Sequence, residues 1–210
     1  MEELVTCEGT VHSIIFQNAE NGYTVLRLLT EEGEVITVVG CIPCVAPGEH
    51  LAVSGVPETH PQHGEQLRAV ELERSLPEDE EEIFSYLSSG ICKGVGPATA
   101  RRIVERFGAE TLDVLEREPE RLTTLKGVTA RKAQEIAESF RQHMGLRRLM
   151  AFLAQYQLPP VLAMELRRQY GDAALEKVRE NPYLLSGEAC GVEFSVTDGI
   201  AMGTVSYTHL

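Results

Sequence analysis

Part of this 210-residue chain is built twice. At a constant offset of 63 residues, Pro97 matches Pro160, Ala100 matches Ala163 and Ile103 matches Leu166. Phe107-Gly108 matches Tyr170-Gly171, Leu112 matches Leu175, Pro119 matches Pro182 and Leu122 matches Leu185. The retained types are apolar anchors, helix-stopping glycines and turn prolines. A duplicated helical unit must keep those to fold the same way twice. Two related units are expected, at about 90–145 and 150–205, made of helices joined by short turns.

The residues before the repeat read differently. Leu4–Gln17, Tyr23–Thr30, Glu34–Gly40, His50–Glu58 and Gln66–Leu76 are rich in Val, Ile, Leu and Thr. Asn21-Gly22, Glu32-Gly33, Pro47-Gly48 and His63-Gly64 separate them as turn signals. Five short strands in so few residues predict a small barrel of the OB type. Pro77 and the carboxylates of Glu78–Glu82 then suit the first turn of a helix, where the dipole favours negative charge. The expected fold class is α+β multidomain: an OB-like barrel at 1–76, helical units at 77–148 and 149–203, and a non-native tail at 204–210.

Charge is spread unevenly over a chain of net −13. Residues 1–82 hold 3 Lys/Arg against 17 Asp/Glu, residues 83–148 hold 12 against 8, and residues 149–210 hold 4 against 7. The whole surface is therefore not dedicated to nucleic acid, and only the middle third is basic. The barrel strands carry few aromatic or basic residues, so a structural or protein-contacting module is expected there rather than a single-strand platform.

The basic third contains "KGVGPATARRIVERFG" (Lys93–Gly108). Gly94 and Gly96 permit unusual backbone angles and leave no Cβ in front of a ligand. Pro97 opens a helix, where its missing N–H costs nothing. Consecutive N–H groups at such a bend can address one anion. Val95 is the expected inward pin, and Lys93, Thr99, Arg101 and Arg102 stand near enough to take part. "LKGVTARKAQEIAESF" (Leu125–Phe140) repeats the bend as Gly127-Val128-Thr129, with Thr129 able to cap the helix. Lys126, Arg131 and Lys132 repeat its basic flank. The second unit is degenerate. Pro159-Pro160 stands where glycine is wanted, beside Arg167 and Arg168, and Glu193 follows Gly191-Val192. That unit reads as a packing or inter-domain module.

The paired bends resemble the helix-hairpin-helix motif, hydrophobic–Gly–hydrophobic–Gly between two helices. The resemblance implies backbone contacts to DNA phosphates without sequence reading. The wider order also resembles the N-terminal region of RecD-like ATP-dependent DNA helicases, 5′–3′ motors of superfamily 1. Ile14–Leu28, Val38–Leu51, His60–Leu67, Ile83–Gly108 and Leu175–Leu185 carry that likeness. It implies two ATPase domains after this region, with ATP and Mg2+ as cofactors of the full-length parent. No Gly-Lys pair occurs in the chain, so it holds no G-x-x-x-x-G-K-[ST] phosphate cradle. No cofactor site and no hydrolytic activity are expected of these 210 residues alone. "VSYTHL" at the end resembles translated sequencing adapter, which implies a gene truncated before the motor. The competing reading is a stand-alone junction-binding subunit of a branch-migration complex, which also joins an OB barrel to paired hairpins.

No catalytic or metal set stands out. Cys41-Ile-Pro-Cys44 is a lone C-x-x-C without the second pair that zinc wants. It lies among strand-like residues rather than opening a helix as a redox pair does. Two thiols in a turn is the reading, with a thiol oxidoreductase as the rival. His60 and His63, with Glu65, read as solvated turn residues. No apolar run approaches the roughly 20 residues of a membrane helix. The expected partners are DNA and the missing ATPase domains of the same chain, with no membrane and a cytoplasmic location.

Overall fold

The computed structural model describes residues 4–187 and 190–205. It divides into two compact units, Met1–Arg141 and Gln142–Leu210. The first unit opens with five strands: β1 (Val5–Gln17), β2 (Tyr23–Thr30), β3 (Val35–Cys41), β4 (His50–His60) and β5 (Gly64–Ser75). They close into a barrel in the order β1-β2-β3-β5-β4. All neighbours are antiparallel except β3 and β5, which run parallel and pair only at Val38–Leu67 and Val39–Arg68. The fold class expected from the sequence is the one observed, an OB-like barrel followed by helices.

Alternation decides which side chains fill the barrel. Val11, Leu26, Leu28, Val38, Leu51 and Val53 point inward and are fully or almost fully buried. Each such burial contributes about 1.5–3 kcal/mol. β1 is long enough to wrap the barrel because it bends, with register shifts between Val11 and Ser13 and between Ile14 and Phe16.

The loop from β3 to β4 is organised by one buried ion pair. Glu49 has no exposure, and Arg74 meets it from β5 with Nη2 at 2.9 Å and Nε at 3.1 Å. Arg74 also donates to the carbonyls of Pro43 and Cys44, while the Ala46 amide donates to Glu49 Oε1. Removing one partner would strand a buried charge at a cost of about 3–5 kcal/mol. Gly48, in the same loop at φ +88°, lies against helix α1 (Glu80–Tyr86) so closely that a Cβ would collide with the Glu82 carbonyl. Thr10 donates to Glu82 Oε1 at 2.7 Å. The first helix is thereby seated on the barrel. Asp79 caps it by accepting from the Glu82 amide, and Glu80, Glu81 and Glu82 fill its first turn as the sequence suggested.

A π-turn at Leu87–Ile91, broken at Gly90, leads to α2 (Pro97–Phe107). Then come α3 (Thr111–Arg117), a 3-10 turn at Pro119–Thr124 and the long α4 (Ala130–Ala154). The division between the two units falls inside α4, which runs unbroken through residues 148–149.

The second unit continues with α5 (Val161–Tyr170), α6 (Ala174–Glu180) and α7 (Phe194–Val205). It repeats the first step by step. Gly108 and Gly171 end their helices at nearly the same angles, φ 55° and ψ −135° against φ 61° and ψ −142°. Each is followed by a 3-10 turn, a seven-residue helix and a second 3-10 turn opened by proline. Ala100 and Ala163, Ile103 and Leu166, and Leu122 and Leu185 are all fully buried. α7 reaches Val205, two residues into the expected tail, and residues 206–210 lie outside those described. Among the described residues no helix is long and apolar enough to cross a membrane.

Candidate nucleic-acid interface

The first bend turns on Gly94, whose φ of +81° is a left-handed angle that glycine adopts without strain. Val95 goes inward, 5% exposed, and its amide closes the turn on the Cys92 carbonyl. The Lys93 amide donates to Ser139 Oγ on α4 at 3.0 Å, which pins the bend to that helix. Gly96 is the N-cap of α2, and its carbonyl receives the amides of Thr99 and Ala100. That leaves Gly94, Gly96 and Ala98. All three are exposed, and among the described residues their amides donate to no protein group. Nothing stands within 4 Å of where a Cβ would be on either glycine.

The second bend repeats this geometry. Gly127 has φ +82°, and Val128 is buried with its amide on the Leu125 carbonyl. Thr129 Oγ1 accepts from the Lys132 amide at 3.2 Å, the cap expected from the sequence. The equivalent amides, those of Gly127, Thr129 and Arg131, again have no protein acceptor among the described residues and lie on exposed residues. Each bend thus leaves at least three open donors at a helix start, and the second adds the Ala130 amide where the first has Pro97; the dipole adds partial positive charge. Lys93 and Lys126 are exposed beside them. The amides of Ala98 and Arg131 belong to the set although the sequence singled out neither as an amide donor. Their only signal was position, two residues past each cap.

Several expected side chains are engaged otherwise. Arg101 is not a free flank: it pairs with Glu81 at 3.0 Å and lies 3.7 Å over the Phe84 ring, both on α1. Thr99 is buried at 8% and turns its hydroxyl to Arg102 rather than outward. Arg102 is a strut. It donates to the Ala98 carbonyl and to the Lys126 carbonyl, so one guanidinium joins the first bend's helix to the second bend. Arg131 is exposed but paired with Glu135 at 2.9 Å, and Lys132 is half-buried. Of the expected flanking cations, Lys93, Lys126 and Lys132 make no ion pair among the described residues, and Lys93 and Lys126 are exposed beside the open amides.

In the second unit some of the same positions are closed, while the amides of Val161, Glu193 and Ser195 have no protein acceptor among the described residues. Gln157 stands 63 residues after Gly94 and holds the left-handed angle, φ +57°, although it is not glycine. Its amide is bonded to the Ala154 carbonyl. Pro159 replaces Gly96 and has no N–H. Further on, Gly191 has φ +62°, but the amides of Cys190 and Gly191 both donate to Gly187 and that of Val192 to Leu185. Arg167 is spent on the Gln142 carbonyl and Asp172, and Arg168 on Glu165.

The remaining sequence candidates stay apart from the bends. β3 ends at Cys41, and Cys44 sits in the loop beyond it at φ +55°, with no helix starting there. Cys92, just before the first bend, is buried, which pushes its thiol up to about 12. His60 and His63 stack at 4.6 Å in the β4–β5 turn. Among the described residues no group of three or more His, Cys, Asp or Glu is placed to hold a metal. The barrel shows two exposed aromatics in contact, Phe16 and Tyr23, with ring centres 6.5 Å apart.

An OB barrel followed by tandem helix-hairpin-helix units defines the class. Family models match in the same order. Residues 4–77 match the OB-fold domain of the ATP-dependent DNA helicase YrrC. Residues 84–142 match a SAM-like helix-hairpin-helix tandem, and residues 142–205 match the helix-hairpin-helix domain of the ATP-dependent RecD2 DNA helicase. The ATP-dependent RecD2 DNA helicase of Deinococcus radiodurans is 29% identical over 197 residues, which is 90% of this chain. The chain spans 27% of that relative's length. Among solved structures, one chain of the S. pombe Stn1–Ten1 complex aligns at 21% identity and TM-score 0.29, covering 34% of this chain and 57% of that one. In order along the chain, its domains are thus similar to OB-fold and helix-hairpin-helix domains of RecD-like DNA helicases.

Proposed function

We propose that this chain is the DNA-binding portion of an ATP-dependent 5′–3′ helicase and that it grips the DNA backbone without reading sequence. The carrying observation is the pair of bends at Gly94–Gly96 and Gly127–Thr129. Each presents at least three unpartnered amides on exposed residues beside a lysine. Amide and lysine contacts to phosphate position a protein on DNA but carry no base information. The match of residues 142–205 to a RecD2 domain supports a helicase over a junction-binding subunit of a branch-migration complex. The parent would draw on ATP and Mg2+ through domains other than these, since this sequence has no P-loop. Its partners are then DNA and the ATPase domains of the same protein.

The test is the salt dependence of DNA binding by Lys93→Gln/Lys126→Gln. Both side chains are exposed, so the fold is expected to hold. Affinity should fall alike on unrelated sequences. The slope of log K against log salt should flatten by about 0.7–0.9 for each phosphate no longer neutralised. A slope and affinity equal to the parent's would overturn the reading.

A further inference from the structure

The barrel carries a surface of opposite chemistry to the bends. At one end its strands splay. β1 starts at Val5, but its pairing with β2 begins only at Gly9, so Val5–Glu8 is paired on the β4 side alone. β3 starts at Val35 yet meets β5 first at Val38, which leaves Val35–Thr37 paired on the β2 side alone. These two open edges and the outer part of β4 frame a groove of about 790 Å3. Open strand edges are templates for another strand.

The lining has two components. Val5 and Val35 are exposed apolar side chains in it, 43% and 53% accessible, with Pro57 and Leu67 alongside. Glu8, Glu31, Glu32, Glu34, Glu58 and Glu65 supply the rest of its character, and no lining residue is Lys or Arg. Glu58 is met by Arg68 at 3.2 Å. The other five carboxylates have no ion-pair partner among the described residues. A phosphate backbone would be repelled here. A polypeptide in extended form would find backbone donors and acceptors on β1, apolar contacts for alternate side chains, and carboxylates for basic ones.

We propose that this groove docks an extended segment of a partner protein, rich in Lys and Arg, that adds as a strand to the Val5–Glu8 edge of β1. The proposal goes beyond the DNA-binding reading and stands or falls without it. Electrostatic complementarity would speed encounter and exclude acidic partners, while the strand pairing would fix register.

The experiment uses the whole chain with a fluorescein-labelled alternating Lys-Val peptide and its Glu-Val counterpart, followed by anisotropy at low salt. The basic peptide should bind saturably and the acidic one should not. Glu31→Lys/Glu32→Lys/Glu34→Lys should weaken binding by about tenfold or more. Glu20→Lys/Glu71→Lys/Glu73→Lys, an equal charge change outside the groove, should leave most of it. Amide exchange at Val5–Glu8 should slow when the peptide is added to the unaltered chain, a reading that needs no variant to fold. Absence of saturable binding, equal loss in both triple variants, or binding with no protection at Val5–Glu8 would each overturn the proposal.

Discussion

The two helical units share a backbone plan and differ in which amides are left over. In the first, Gly94, Gly96 and Ala98, and again Gly127, Thr129 and Arg131, keep open donors among the described residues. In the second, the matching Gln157 amide is bonded, Pro159 has none, and Cys190, Gly191 and Val192 all donate internally, so only Val161, Glu193 and Ser195 keep open donors at the matching positions among the described residues. The turn angles survive, even at Gln157, where a non-glycine residue holds φ +57°. Shape is therefore preserved by the buried anchors, whereas the number of open N–H groups is not protected by packing. A duplicated unit can thin the second and keep the first.

That contrast can be broken at the anchors. Leu122→Ala and Leu185→Ala each empty a fully buried site, so each should cost about 2–5 kcal/mol by denaturant unfolding. Similar losses in both units would confirm that the two cores do the same work. A negligible loss at Leu185 would mean that the second unit's core is not equivalent. A smaller effect sharpens the turns. Gly94→Ala forces a Cβ into φ +81° and should cost about 1–2 kcal/mol, while Gln157→Gly should move stability by less than about 1 kcal/mol, because relief of strain offsets added chain entropy. Equal costs in the two would show that Gln157 is not strained. The smallest effect belongs to the flank. Arg131→Ala removes an exposed i,i+4 pair with Glu135 and should change stability by no more than about 0.5 kcal/mol. A larger drop in melting temperature would give that arginine a structural role.

Much of this architecture was legible because it is local. Strand limits followed Asn21-Gly22, Glu32-Gly33 and His63-Gly64, and the observed strands begin or end within about two residues of the expected ones. Both bends were visible as glycine-hydrophobic pairs, with Val95 buried as read and Val128 buried in the repeated place. The roles of the arginines were not visible. Arg101 and Arg102 are neighbours in sequence, yet one reaches Glu81 and Phe84 and the other reaches Lys126. Partners some twenty residues away in either direction are set by packing, and charge content alone cannot assign them. The splayed barrel end was hidden for the same reason. The strand runs were readable, but where pairing stops depends on register between strands distant in the chain.

Arg102 has one more implication. A single planar group touches Ala98, Thr99 and Lys126, so the gap between the two bends is held by a fork rather than by a charge. Lysine in its place would conserve the electrostatics and lose the gauge. Each seat would survive, but the pair would no longer be held at one spacing.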